Sequence, residues 1–315
     1  MEKMPSESLI TISPQAGRLT DRPKEIFTFI LEAFKQGQKC ALITLVEIIQ
    51  GSSRALGAHM AVREDGLYCG FVSGGCVEGA VAQEALEALK EGKDRFCHFG
   101  KGSPHFDILL PCGGGIKLAI HLLKNKTEIQ KILSFFENRQ ASFLTYSPKT
   151  ETLTASKGKI ETGWKETHFA IAYRPALRLF LSGGAYEGGV LAEMAETAGL
   201  EVFFAPHKTQ NAMLLEMQKW TDENTAIALL HHDPEREFLI LCQALKTNAF
   251  YIGALGSLNT HEKRKARLLE EGVPIREIQR LHAPIGLFGP TRNARTLAAS
   301  IIAEILKKAT NGRIL

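Results

Sequence analysis

From Leu177 onward, strand-like apolar runs alternate with helix-like runs, and few architectures can bury both. "LRLFLSGGA" is followed by "GGVLAEMAETAG", "LEVFFAP" by "NAMLLEMQKW", and "TAIALLHHD" by "EFLILCQALKT". A strand that returns through a helix to a neighbouring strand makes a right-handed crossover, so the run predicts a doubly wound, Rossmann-like parallel sheet. The closing stretch "NARTLAASIIAEILKKA" places Leu297, Ile301 and Ile305 in step with Ile302, and Asn293 is its expected cap.

The first half follows different rules. A helix is expected in "DRPKEIFTFILEAFKQG", then a buried strand in "KCALITLVEII", then two strands around Asp65-Gly66, a strong hairpin signal. In "VEGAVAQEALEALKEG" a four-residue step through Val77, Val81, Ala85 and Leu89 predicts a helix closing at Gly92. "GIKLAIHLL" alternates, with Ile116, Leu118 and Ile120 on one face and Lys117 and His121 on the other. Residues 147–168 are polar and rich in turn formers, and Pro175 precedes a new strand. These features divide the chain into a mixed α/β domain over 1–174, carrying glycine-cysteine loops, and the Rossmann-like domain over 175–315.

Several loops could carry chemistry. In "SGGCVEGAV", Gly74, Gly75 and Cys76 stand where a strand hands over to a helix. Glycine lets the backbone approach a ligand closely, and the helix amino terminus favours a phosphate or a thiolate. Glu78 works against a thiolate there and by itself reads as an acid matched to the helix dipole. A tight turn around a small buried cysteine explains this loop equally well. A second glycine-cysteine loop, "PCGGG", contributes Cys112, Gly113 and Gly114, and "GSSRALGAHM" adds Ser52, Ser53 and Arg54 at a strand end, suited to a phosphate or a polar ring edge.

In the second half, "LFLSGGAYEGGVL" occupies the position of a dinucleotide fingerprint, with Gly183 first and Gly188 third, but Ala185 replaces the middle glycine. Pro206 stands where a ribose-binding acid is usual. "HHDP" follows a strand, and its neighbouring histidines point opposite ways, which leaves one functional imidazole, His232, or none. "YIGALGS", with Gly256 and Ser257, and "HAPIGLFGPT", too rich in glycine and proline for regular structure, are expected to rim the same crevice.

Composition removes other classes. A formal charge of +4 over 315 residues gives no basis for nucleic-acid binding, and "HEKRKAR" at 261–267 reads as the wet face of a helix. No apolar run reaches about 18 residues, and "MEKMPSESLI" lacks the build of a secretory signal, so no membrane association and a cytoplasmic location are expected. The six cysteines have no CxxC spacing and are expected to be free thiols.

Taken in order, "GSSRALGAHM", "DGLYCGFVSGGCVEGAV", "PCGGG", "YIGALGS", "HAPIGL" and "SIIAEI" resemble the XdhC/CoxI family of maturation factors for xanthine dehydrogenase-type molybdenum hydroxylases. The resemblance runs from about residue 40 to 306. It implies an accessory protein, rather than an enzyme, that binds the molybdenum cofactor (molybdopterin), protects it and delivers it to an apo molybdenum hydroxylase. A sulfur-donating cysteine desulfurase would be a second partner, and a homodimer is compatible with this role. Cys76 and Cys112 fall on family cysteine positions and would contact molybdenum or sulfur, since a thiolate is a soft ligand. The "GSSRALG" loop is one residue shorter than the family's usual form, and Ala185, Pro206 and Leu258 replace residues commonly glycine, acidic and basic. The alternative is an NAD(P)-dependent oxidoreductase using the second domain, with His232 as acid or base.

Overall fold

The computed structural model describes residues 12–103 and 113–312. The chain forms two compact units, residues 1–174 and 175–315.

In the first unit the elements run β1 (Gln15–Arg18), α1 (Pro23–Lys35), β2 (Cys40–Ile49), β3 (His59–Arg63), β4 (Leu67–Gly70), α2 (Glu78–Glu91), β5 (Arg95–Gly100) and β6 (Gly115–Leu122). They continue with α3 (Thr127–Glu137), β7 (Ser142–Ser147), β8 (Thr152–Lys157), β9 (Gly163–Lys165) and β10 (His168–Tyr173). Six strands form one sheet in the order β1-β4-β3-β2-β6-β5, antiparallel apart from β1 against β4.

Strand β2 is buried from Cys40 to Val46 because both of its faces are covered there. Ala41, Ile43 and Leu45 join a core with Val81, Ala85 and Leu86 of α2, while Leu42 and Val46 join another with Phe27 and Ile30 of α1. The expected hairpin is present: Gly66 turns it at φ +90°, and a Cβ there would lie 2.6 Å from the Ser13 carbonyl oxygen. Helix α2 closes on Gly92 in the left-handed conformation.

Two expectations need correction. The polar stretch 147–168 contributes β8 and β9 to a four-stranded antiparallel sheet, β8-β7-β10-β9. Its inward positions, Leu144, Ala155, Phe169 and Ile171, pack into the same core as α1 and α3, so a few apolar residues per strand suffice. His121, expected on a polar face of β6, is buried. Its Nδ1 lies 2.7 Å from the Asp94 carboxylate, which also accepts from the Tyr146 hydroxyl and the Leu122 amide, both at 2.9 Å. Burial by itself would raise the Asp94 carboxyl, but these hydrogen bonds outweigh it and hold the group below the usual range.

The second unit runs β11 (Arg178–Gly183), α4 (Ala185–Thr197), β12 (Glu201–Phe204), α5 (Gln210–Trp220), β13 (Thr225–Leu230), α6 (Pro234–Leu245) and β14 (Tyr251–Ala254). It ends with α7 (Leu258–Glu270), α8 (Ile275–Ile278), β15 (Leu281–His282) and α9 (Ala294–Asn311). Its sheet is wholly parallel in the order β12-β11-β13-β14-β15. Leu191 of α4 and Ile301 and Ile305 of α9 cover one face; Met213 of α5, Leu241 of α6 and Leu268 of α7 cover the other. This is the expected doubly wound Rossmann-like sheet, and the Asn293 side chain caps α9 by accepting from the Thr296 amide.

Two further readings change here. "HEKRKAR" does form a helix, α7, but His261 and Arg264 lie on its buried side. "HAPIGLFGPT" begins as a strand, since Leu281 and His282 pair with Ile252 and Gly253. Glu304 of α9 then holds it by accepting from the Gly286 amide at 2.7 Å, as does Ser300, whose hydroxyl accepts from the Phe288 amide at 2.9 Å.

Candidate functional site

Strand direction gathers the loops of the first unit. Strands β2 and β4 end, and β6 begins, at one edge of the six-stranded sheet, because β2 and β4 each run antiparallel to β3, and β6 runs antiparallel to β2. Ile49 is paired with Gly115 there. Gly114 lies so close to the neighbouring chain that a Cβ would stand 2.1 Å from the Gly51 carbonyl oxygen. A Cβ on Gly74 would lie 3.4 Å from Ser53 Oγ. The loops containing Ser52–Arg54, Gly74–Cys76 and Gly113–Gly114 therefore meet at one edge. Cys112 lies outside the described residues.

The "SGGC" loop owes its shape to Glu78. This side chain is almost wholly buried, and its carboxylate turns back under the loop to accept from the amides of Val72, Ser73 and Val77 at 3.2, 2.8 and 3.2 Å. The Ser73 hydroxyl lies 2.9 Å from both carboxylate oxygens and accepts from the Cys76 amide at 3.2 Å. Glu78 thus organises the loop from beneath, which separates it from the residues that face a ligand. Val77 caps the helix and Cys76 precedes it, so the thiol sits just before the helical turn rather than in it.

The face this leaves outward is polar and open. Gly74, Gly75 and Cys76 are exposed, and Gly75 adopts φ +96° with no atom within 4 Å of the space a Cβ would take. Among the described cysteines Cys76 is the exposed one; Cys40, Cys69 and Cys97 are buried, and burial pushes their thiols up, that of Cys69 to about 11 and that of Cys97 to about 12. Ser52 Oγ accepts from the Arg54 amide at 3.1 Å. The Arg54 guanidinium stacks on Phe71 at 4.5 Å and reaches Asp21 at 3.4 Å, while its buried Nε has no hydrogen-bond partner among the described residues. His98 Nε2, beside Gly115, is also buried without one. The Arg54 Nε–H, a donor without a partner among the described residues beside a glycine cradle, is the kind of group that an anionic, hydrogen-bonding guest would satisfy.

In the second unit a cleft of about 320 Å³ opens at the carboxyl ends of β11 and β13, the switch point of the sheet. Gly183 closes on β13, where a Cβ would meet the Leu230 carbonyl at 2.4 Å, and Gly188 packs on the Phe204 ring, where a Cβ would meet it at 2.4 Å. Gly183 therefore lines the cleft, whereas Gly188 lets helix approach strand. The two histidines diverge as expected: His231 Nε2 lies 2.9 Å from the buried Ser182 hydroxyl, and exposed His232 lies 3.8 Å from Glu187. Burial, helped by the Arg236 charge, holds the His231 imidazole below its ordinary value. A second cleft of about 440 Å³ shares His231 and His232 and continues over Gly256 to α7, which Ser257 caps. "HHDP" and "YIGALGS" thus do rim neighbouring space; the "HAPIGLFGPT" residues are not among those lining either cleft.

Sequence patterns did not single out Ser73 and Phe71, which hold the first-unit loops, or Thr260 and Arg264, which line the second cleft. Ser73 adjoins the glycines and was within reach of the motif, but its bond to Glu78 needs the loop's path. Arg264 was hidden in a run of basic residues whose sidedness depends on what packs against α7. Among the described residues no group of three or more His, Cys, Asp or Glu side chains could hold a metal ion, and no helix is long and apolar enough to cross a membrane.

Comparison with known proteins identifies the family. The family model described as the XdhC Rossmann domain matches residues 179–305, and that of the XdhC and CoxI family matches residues 33–100. The chain is 42% identical over 294 residues to the molybdenum cofactor insertion chaperone PaoD of Escherichia coli (strain K12), covering 93% of this chain and 90% of that protein. It is 23% identical to a probable xanthine dehydrogenase subunit from Bacillus subtilis (strain 168), covering 89% of this chain and 97% of that one. In fold it is similar to a crystal structure described as a xanthine dehydrogenase from Bacillus halodurans, with a TM-score of 0.70, 19% identity, and 90% and 96% of the two chains covered. With both family models matching in order, and with that identity to PaoD along nearly the whole length, the chain belongs to the XdhC and CoxI family.

Proposed function

We propose that this protein is a molybdenum cofactor insertion chaperone: it binds the cofactor as cargo, shields it and hands it to an apo molybdenum hydroxylase. The observation that carries this reading is the edge formed by Ser53, Arg54, Gly74, Gly75 and Cys76. An exposed thiol stands on a loop fixed from within by Glu78, next to a guanidinium whose buried Nε has no partner among the described residues. The donor set fits the cargo. A thiol suits a soft metal or its terminal sulfur, and a guanidinium with open glycine backbone suits a phosphate and the polar rim of a pterin. The 42% identity to PaoD supports the same reading.

A sulfur-donating cysteine desulfurase as second partner, a cytoplasmic setting and a cofactor-contacting role for Cys112 belong to this proposal. The nicotinamide alternative has the position of the glycine loop, at the cleft beyond β11 and β13, in its favour. Ala185 at the start of α4 and Pro206 in the lining count against it.

The test is anaerobic equilibration of the reduced protein with molybdenum cofactor released from a donor molybdoenzyme, then desalting and quantification of molybdenum and pterin. The wild type is expected to retain both, and Cys76→Ala to lose most of what is retained. Equal retention in the two would move the cargo away from this edge, and no retention by the wild type would overturn the chaperone reading. Restoration of activity to an apo molybdenum hydroxylase by the loaded protein, but not by an equal amount of free cofactor, is the expected outcome for delivery.

A further inference from the structure

We propose that the amino-terminal face of α7 is a phosphate-binding site, separate from the glycine loop at the switch point and independent of the cargo reading. Thr260, Lys263, Arg264 and Arg267 recur at helical spacing, so they share one face, and all four line the 440 Å³ cleft. The first amides of a helix have no partner within it and carry its positive dipole end. Ser257 takes the amide of Thr260, leaving those before it for a guest.

A second observation also points to a ligand. Arg264 is 8% exposed and lines this cleft. Its Nε and Nη2 donate to the two oxygens of Glu237 at 2.6 and 3.1 Å, and Nη2 also donates to the Leu255 carbonyl at 2.8 Å. Its Nη1 is buried with no hydrogen-bond partner among the described residues. A buried guanidinium donor is costly to leave unmade, and a phosphate oxygen would satisfy it.

Charge and shape agree. Arg264 matches the buried Glu237, and Arg267 matches Glu235 with bonds of 2.6 and 2.8 Å, which leaves exposed Lys263 as surplus positive charge with no ion-pair partner among the described residues. Gly256, at φ +144°, keeps the entrance clear: a Cβ there would lie 3.0 Å from Thr260 and 3.6 Å from Arg264 Nη2. The ligand class is a phosphate or pyrophosphate group, free or at the end of an ester.

The experiment is calorimetric titration of the full chain with inorganic pyrophosphate and, separately, with ADP, accompanied by hydrogen–deuterium exchange over residues 256–267. Pyrophosphate is expected to bind, to slow exchange over that segment, and to bind about tenfold more weakly to Lys263→Gln, the factor for one charged hydrogen bond. Tighter binding of ADP would assign the site to an esterified group; equal or weaker binding would assign it to the free anion. Arg264→Gln is expected to abolish binding. Should that variant fail to fold, because Glu237 is left unpaired, Lys263→Gln and the exchange footprint decide the matter. No pyrophosphate binding, or binding lost in Arg236→Gln of the neighbouring cleft and kept in Lys263→Gln, would overturn the proposal. Neither result bears on molybdenum retention, which tests the chaperone reading separately.

Discussion

Replacing Glu78 with alanine removes the acceptor on which the "SGGC" loop is built. Three buried amides, those of Val72, Ser73 and Val77, lose their partner together with the Ser73 hydroxyl. An unsatisfied buried donor costs about 1–3 kcal/mol, so the three amides together put the loss at about 3 kcal/mol or more. Water entering beside the exposed Gly74–Cys76 segment relieves part of this, so the lower bound is expected. Local opening of the loop should then become about a hundredfold more frequent, read as faster amide exchange over residues 72–77. Glu78→Gln keeps one acceptor oxygen and turns an amide donor toward groups that themselves donate, so an intermediate loss of about 1–2 kcal/mol is expected. Exchange over 72–77 that stays within about threefold of the wild type in Glu78→Ala would refute the argument that this carboxylate organises the loop. Cofactor retention should fall in parallel, with Cys76 itself untouched.

His59 is buried between Thr44 and Tyr173, at 3.1 and 2.5 Å, and burial lowers its imidazole to about 4 from an ordinary 6.5. The unfolded chain therefore binds a proton that the folded chain refuses, and between about pH 6.5 and 4 stability should fall on acidification by up to about 1.4 kcal/mol per pH unit. Urea titrations across that range are expected to show a shallower slope for His59→Gln; an unchanged slope would place the acid sensitivity elsewhere. For the glycine edge, Gly114→Ala drives a Cβ against the Gly51 and Ile49 carbonyls, at 2.1 and 2.8 Å, and should cost about 3 kcal/mol or more. Gly113→Ala, with φ +67° and open space around it, should cost only about 1–2 kcal/mol, and equal costs measured by urea unfolding would contradict the close approach at Gly114.

Local signals were enough wherever one segment decides its own conformation. Asp65-Gly66 sets a hairpin, Gly92 closes α2, Asn293 caps α9, and strands alternating with helices after Leu177 admit a doubly wound parallel sheet and little else. These depend on backbone freedom, capping and period, which are properties of a few neighbouring residues. The glycine-cysteine loops were legible for the same reason, and the motifs they carry sufficed to suggest the family.

What the tertiary structure alone decided is which faces are covered and which polar groups find partners. The stretch 147–168 looked too polar for a sheet until α1, α3 and the neighbouring strands supplied the apolar surface against which β7 to β10 could pack. His121 sits on an inward face because Asp94 and Tyr146, 27 residues before it and 25 after it, converge on it. Arg264 reads as a wet-face cation, yet Glu237 from α6 buries it and leaves one donor unmet. Glu78 reads as a dipole-matching acid, and only the path of the chain before it turns its carboxylate beneath Ser73. Burial and pairing depend on groups remote in sequence, so a linear pattern proposes the elements and three-dimensional packing assigns the work of each polar side chain.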